Sequence, residues 1–234
     1  HERRAIVGID GSTTAVSSST RQSAAAALSS SRVALVSTAT VSYYNAETQT
    51  YLTLGGQYMA AAVAGVSVSQ IPSMPLTRKT VNGFSEIPEL LSETAKNTEA
   101  QAGLMVIERT RQGEIRVRHG ITTSTTSLLT REWSIVGQQD ALAFRMRDYL
   151  DSGGLIGSII DDLTLSGVKA SAASALVSLV DDRTIVNYND LKVRQLASTP
   201  DVVEVRFNWQ AAVPLNYIIV RFSLNVSSGV VDVV

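Results

Sequence analysis

The most constraining feature of this chain is a strict two-residue alternation near its C-terminus. In VVEVRFNWQA (202–211), Val203, Val205, Phe207, Trp209 and Ala211 fall on one face. Glu204, Arg206, Asn208 and Gln210 fall on the other. Successive side chains of a strand point to opposite sides, so this period predicts a half-buried strand. YIIVRFSLNV (217–226) repeats the pattern through Ile218, Val220, Phe222, Leu224 and Val226. The link Ala212 to Asn216 is short enough to join the two as an antiparallel pair. After Ser227-Ser228, residues 229–234 are β-prone and carry one charge. A bare apolar strand at a chain end is a hazard unless another sheet edge receives it. The expectation is an assembly subunit that shares strands with its neighbours.

The N-terminal half follows a different rule. RAIVGID (4–10) reads as a short buried strand. Eleven of the twenty-one residues 11–31 are Ser or Thr, which suggests a linker. Arg21 to Leu28 is nevertheless a good helix former, so a helix is expected at about 19–30. RVALVSTATV (32–41) is a Val-rich strand, and β–α–β order predicts a parallel pair in a covered sheet. Tyr43 to Leu54 is a loop or hairpin. Gly55-Gly56 opens a helix at 57–69 made almost wholly of small residues, which predicts close packing. Pro72 and Pro75 end it, and an ordered loop with a turn at Asn82-Gly83 runs to Pro88.

A polar helix is expected at 89–102, with Ser92 or Glu89 near its start. Strands follow at 104–109 and 114–122, joined by Gln112-Gly113, and a third at REWSIV (131–136). In a helix at 138–151, Leu142, Met146, Tyr149 and Leu150 form a core stripe. Phe144, Arg147 and Asp148 lie opposite, so Phe144 is a candidate contact surface. A last helix, 166–180, presents Val168, Ala172, Ala175, Leu176 and Leu179. TIVNYND (184–190) and LKVRQL (191–196) read as short extended pieces.

Few residues point to chemistry. Lys plus Arg number 20 and Asp plus Glu 21, for a net charge of −1, which argues against a general nucleic-acid binder. With no cysteine, disulfides, thiolate metal sites and cysteine nucleophiles drop out. No run of eighteen apolar residues predicts a membrane span. The chain opens at His1 without Met, and is read as a break inside a longer product. That leaves His119 as the one credible general base, at a period-2 apolar position that favours a structural role. No G-x-S-x-G or P-loop pattern occurs. Gly153-Gly154-Leu-Ile-Gly157 follows a helix, the wrong context for dinucleotide binding, and reads as a helix stop. Asp161-Asp162 and Asp181-Asp182 lack calcium-loop spacing and suit turns or helix N-termini. Arg109, Arg111, Arg116 and Arg118, tempered by Glu108 and Glu114, read as a solvated hairpin face.

Three blocks, in order, resemble the tail sheath proteins of contractile phage tails and related injection systems. They are YMAAAVAGVSVSQIPSMPLTRKTVNGF (58–84), IRVRHGITT (115–123) and VVEVRFNWQAAVPLNYIIVRFSLNV (202–226), with RQSAAAALSSSRVALV (21–36) upstream. The resemblance implies an α/β (α+β) fold. A βαβ-containing core domain at 1–110 precedes a C-terminal α+β domain at 111–228, whose mixed sheet is completed by strand exchange.

It further implies a structural subunit without catalytic residues, cofactor or metal. Such a subunit forms hexameric rings or a helical polymer around an inner tail tube, with baseplate and terminator proteins as further partners. It binds no nucleic acid and inserts in no membrane, and it is assembled in the host cytoplasm into the virion tail. Gly229, Val230, Val231, Asp232, Val233 and Val234 would be the arm donated to a neighbour. Phe144, Arg145, Arg147 and Lys169 are candidate tube or subunit contacts. The family's N-terminal arm and outer inserted domains are not visible in this chain. Another virion tail protein, tube or baseplate-like, and a His119-dependent α/β enzyme are the alternatives.

Overall fold

The structure, a computed structural model, describes residues 3–12, 14, 16–226 and 229–233. β1 (Ala5–Gly8), α1 (Ser18–Leu28) and β2 (Val33–Val36) form the expected succession of strand, helix and strand. The strands pair in parallel, from Ala5 opposite Val33 to Gly8 opposite Val36. Ser17 caps α1 by accepting from the Thr20 N–H, which satisfies one of the free donors of the first turn. The Ser-rich stretch is therefore partly helix start rather than linker.

β3 (Thr40–Asn45) and β4 (Thr50–Gly55) make an antiparallel hairpin that runs directly into α2 (Gly56–Val68). α2 starts hard against β1. A Cβ on Gly8 would lie 2.3 Å from the Gly56 carbonyl oxygen, and a Cβ on Gly56 2.0 Å from that of Thr38. Only glycine permits this approach. α3 (Glu93–Gln101) is capped by Ser92, and β5 (Leu104–Met105) joins the free edge of β2 to give the order β1-β2-β5.

Arg21 of α1 is fully buried and bridges to α3. It donates to Glu99 at 2.8 and 3.2 Å and to Glu89 at 2.6 and 2.7 Å. Burial pulls its pKa down, but these carboxylates outweigh that and raise it. β6 (Ile107–Arg109) and β7 (Ile115–Val117) form a short hairpin across the expected Gln112-Gly113 turn. Val36, Val41, Met59, Val63, Ile107, Val117 and Trp133 share one core. Each such burial contributes roughly 1.5–3 kcal/mol relative to exposure. This core takes in Ile115, Val117 and Trp133, beyond the boundary expected after residue 110.

The next element corrects the sequence reading. REWSIV (131–136) is not a strand: α4 (Leu128–Arg131) and α5 (Trp133–Ser152) occupy it. Trp133 through Gln138 are all buried, so the first turn and a half of α5 is covered on every side. A run buried all round has no periodicity, and Ile-Val then reads equally well as strand.

α6 (Asp162–Asp181) packs on α5 through Ala172, Ala175, Leu176 and Leu179, as the spacing predicted. It is also long and apolar enough to cross a bilayer by length and composition. The criterion of an unbroken apolar run missed this because Ser, Gly and Lys169 interrupt the helix. A helix with one stripe in a core meets the same test, and α6 has that stripe.

β8 (Ile185–Leu196) is one continuous strand where two pieces were expected, bulged between Asn189 and Lys192. It turns over Ala197-Ser198 into β9 (Thr199–Ala211), with Tyr188 opposite Trp209 and Val193 opposite Val205. Val205, Phe207 and Trp209 face α5 and α6 as the alternation predicted. The expected pairing of 202–211 with 217–226 does not occur. β9 takes β8 as its partner, residues 212–221 are irregular, and β10 (Phe222–Val226) pairs with β11 (Gly229–Val233). The Ala-Ser turn carries no Asn-Gly or Asp-Gly signal, so the sequence did not point to it.

Candidate functional site

His119 is placed by the chain following β7 and Glu132 by the start of α5. His119 Nε2 lies 2.7 Å from Glu132 Oε1, and both side chains are buried. Glu132 Oε1 also accepts from Asn216 Nδ2 at 3.1 Å, and Thr77 Oγ1 donates to Asn216 Oδ1 at 3.0 Å. The Tyr217 ring stands edge-on to the imidazole, 6.2 Å between centroids. Thr77, His119, Glu132 and Asn216 come from four separate segments. The Nε2 of His119 is thus committed to a carboxylate that also holds the chain at residue 216. Among the described residues, no group of three or more His, Asp or Glu could hold a metal ion.

The charged residues sort into internal pairs. Arg116 donates to Glu108 at 2.7 and 2.8 Å, Arg118 to Glu108 at 3.0 Å, and Arg109 to Glu86 at 2.9 Å. Burial pushes the Glu108 carboxyl up, but the two arginines outweigh it and hold it below the usual range. The basic cluster is therefore a paired hairpin face. Asp161 caps α6 by accepting from the Thr164 N–H, and this bond lowers its pKa. Gly153 to Gly157 is the expected stop between α5 and α6, with Gly154 and Gly157 at positive φ.

Of the candidate contact residues, Phe144 is 63% exposed on α5. Arg145 is half-buried and bonds Ser178 and Asp182 of α6. Arg147 lines a recess of about 360 Å³ with Leu150, Leu155, Ile156, Val203 and Val205. Lys169 is exposed on α6. The structure does not bring these four into one cluster. Gly229 to Val233 lie in β11, folded back on β10 of the same chain, and Val234 and His1 lie outside the described residues.

Sequence reasoning missed a run of four exposed apolar residues. Tyr217, Ile218, Ile219 and Val220, of which Ile218 and Val220 were expected in a buried face, are each 76–80% exposed. Pro214 was the available signal, since it supplies no N–H to a ladder. Ile156, Ile159 and Leu163, around the α5–α6 turn, are exposed to the same degree.

No family model matches the chain. It is 53% identical over 229 residues to the tail sheath protein of Mycobacterium phage Bxz1, covering 98% of this chain and 39% of that protein. It is 27% identical over 188 residues to the tail sheath protein of Bacillus phage SP01, covering 77% of this chain and 31% of that one. The chain thus spans roughly two-fifths or less of the curated relatives it matches. In fold, it is similar to the sheath of the extracellular contractile injection system PVC in its contracted state. The TM-score is 0.72 at 13% identity, over 96% of this chain and 64% of that one. A chain of the anti-feeding prophage baseplate matches with TM-score 0.68 at 13% identity, over 90% of this chain and 66% of that one.

Proposed function

From the premise that this chain belongs with the phage tail sheath proteins, we propose that it is the core and C-terminal part of a contractile tail sheath subunit, a structural and non-enzymatic component of the virion tail. The single observation that carries this is 53% identity to a tail sheath protein along 98% of the chain. In this reading the subunits form hexameric rings stacked as a helical polymer around an inner tube, between baseplate and terminator proteins. Contraction then drives the tube through the host envelope without nucleotide.

The fold suits that work. Two separate apolar clusters keep the body rigid, while the C-terminal hairpin leaves on a strap with little apolar cover. Strand addition to a neighbour holds subunits by main-chain hydrogen bonds through a large rotation. Gly229 to Val234 are the proposed arm, opening from β10 to pair with a neighbour's sheet. Phe144, Arg145, Arg147 and Lys169 are proposed tube or subunit contacts. Arg145, already paired to Asp182, is one of the partly solvated ion pairs that are individually weak and so can be exchanged.

The test is negative-stain microscopy of the longer gene product beside sedimentation of this 234-residue chain. Tubes or stacked rings from the longer product are the expected result. A longer product that stays monodisperse even with its tube and baseplate present overturns the sheath reading. Deleting Gly229 to Val234 should stop ring-to-ring joining and leave the monomer folded.

A further inference from the structure

Residues 212–216 cross from β9 to the body of the protein as a strap fastened at two points. At the first, one side chain serves both backbone groups of Ala212. Gln138 Nε2 donates to the Ala212 carbonyl at 2.9 Å, and the Ala212 N–H donates to Gln138 Oε1 at 2.7 Å. Gln138 is 0% exposed, and its amide reproduces the bonds a neighbouring strand would make. At the second, Asn216 is held between Thr77 and Glu132.

Glu132 is 1% exposed. Its Oε1 has two donors, His119 and Asn216, and its Oε2 has none. Loss of Asn216 removes one of two donors from a buried carboxylate, and such groups are costly to leave short of partners. Apolar packing adds little here, because Val213 and Leu215 point largely to solvent. The strap is therefore held by directed polar bonds between otherwise buried groups, and both cores can stay intact when it lifts.

We propose that Gln138 and the Thr77–Asn216–Glu132–His119 group form a two-point clasp that fixes where the C-terminal hairpin leaves the body and, on opening, lengthens its reach. With the clasp closed, the free span between Asn216 and β10 is residues 217–221. With it open, the span is residues 212–221. At about 3.3 Å per extended residue, the reach rises from about 17 Å to about 33 Å. The use of that reach between subunits rests on the sheath reading, while the clasp itself rests on contacts within one chain.

The chain has no cysteine, so a nitroxide on Leu215→Cys reports the strap alone. In the otherwise unchanged 234-residue chain, the spectrum of this solvent-facing label should show slowed, backbone-limited motion rather than full immobilisation. Asn216→Asp sets a second carboxylate beside buried Glu132 and should convert it to a fast, mobile spectrum. Thr77→Val, which keeps the shape and removes one donor, should give a partial conversion. Both variants should keep a single cooperative unfolding transition, with a midpoint a few degrees below that of the parent, and raise chymotryptic cleavage after Tyr217 by about ten-fold. A label that moves no faster in folded Asn216→Asp than in the parent overturns the clasp. The label reads the strap within one chain, so this result is separate from the tail deletion, which addresses the hairpin's role between chains.

Discussion

The two larger apolar clusters differ in how they are closed. In the first, a three-stranded parallel sheet is covered by α2 on one side and by α1 and α3 beyond, and Ala34, Val36, Met59, Val63 and Val117 are wholly buried. In the second, Ala172, Ala175, Leu176 and Leu179 of α6 are wholly buried and Ile185 of β8 nearly so, while β9 offers Val205, Phe207 and Trp209 only half-covered. The parallel sheet buries its central strand β2 almost completely, although its edge strands β1 and β5 each have one strand neighbour. The ribbon has two strands, each with an outer edge unpaired among the described residues. The difference separates a sheet buried between helices from a ribbon covered on one face.

The sharpest way to break the contrast is at the tightest contact of the first cluster. Gly8→Ala sets a methyl 2.3 Å from the Gly56 carbonyl, backbone against strand, with no flexible side chain to yield. It should cost upwards of about 3 kcal/mol and prevent soluble folding at 37 °C. A variant with a melting temperature within a few degrees of the parent would show that β1 and α2 can part. Leu176→Ala, at the centre of the second cluster, should cost about 3 kcal/mol. Its signature is regional. Hydrogen exchange should quicken across 142–209 and stay slow across 33–117. Uniform loss of protection would mean that the two clusters unfold as one.

What was legible in the sequence follows the same division. β2 was readable as a Val-rich run and α2 as a run of small residues, while the α5 and α6 stripes were readable because each helix buries one face and exposes another. The period then reports the element. Trp133 to Val136 were misread as strand because they are buried all round and the period vanishes. The partner of β9 was misassigned for another reason. Alternation tells which face of a strand is covered, not which strand lies beside it, and the Ala197-Ser198 turn carries no hairpin chemistry. The clasp could not be seen, since Thr77, His119, Glu132 and Asn216 lie far apart in sequence and each type is common in loops. The arm residues were legible as β-prone, and their pairing with β10 was not.

Electrostatics offer a subtler comparison. Glu108 in the first cluster and Glu204 in the ribbon are both held below the ordinary carboxyl range by arginines, against the opposing effect of desolvation. A depressed native pKa stabilises the fold above the unfolded value of about 4.3 and is lost as pH falls through the lower native value. Glu108→Gln should therefore cost about 1–2 kcal/mol at pH 7 and much less at pH 3, with little response to salt. Glu204→Gln, on an open surface, should leave the unfolding midpoint unchanged at physiological salt. Equal effects at the two sites would mean that the ribbon is as closed as the body.

The smallest expected effect is the one that bears most on assembly. Ile218 and Ile219 are 76% and 80% exposed on the irregular segment before β10. Stabilisation by burial scales with apolar area removed from water, and here almost none is removed. The double change Ile218→Ser, Ile219→Ser should therefore shift monomer stability by less than about 0.5 kcal/mol in urea unfolding. The same change should lower polymer yield in the longer product, because four consecutive apolar residues standing in water mark a surface that another chain covers. A monomer destabilised by more than about 1 kcal/mol would mean that this segment packs on its own body in solution, as the alternation of 217–226 first suggested. An unchanged monomer with an unchanged polymer would leave the outer edges of the ribbon, rather than this segment, as the surface between subunits.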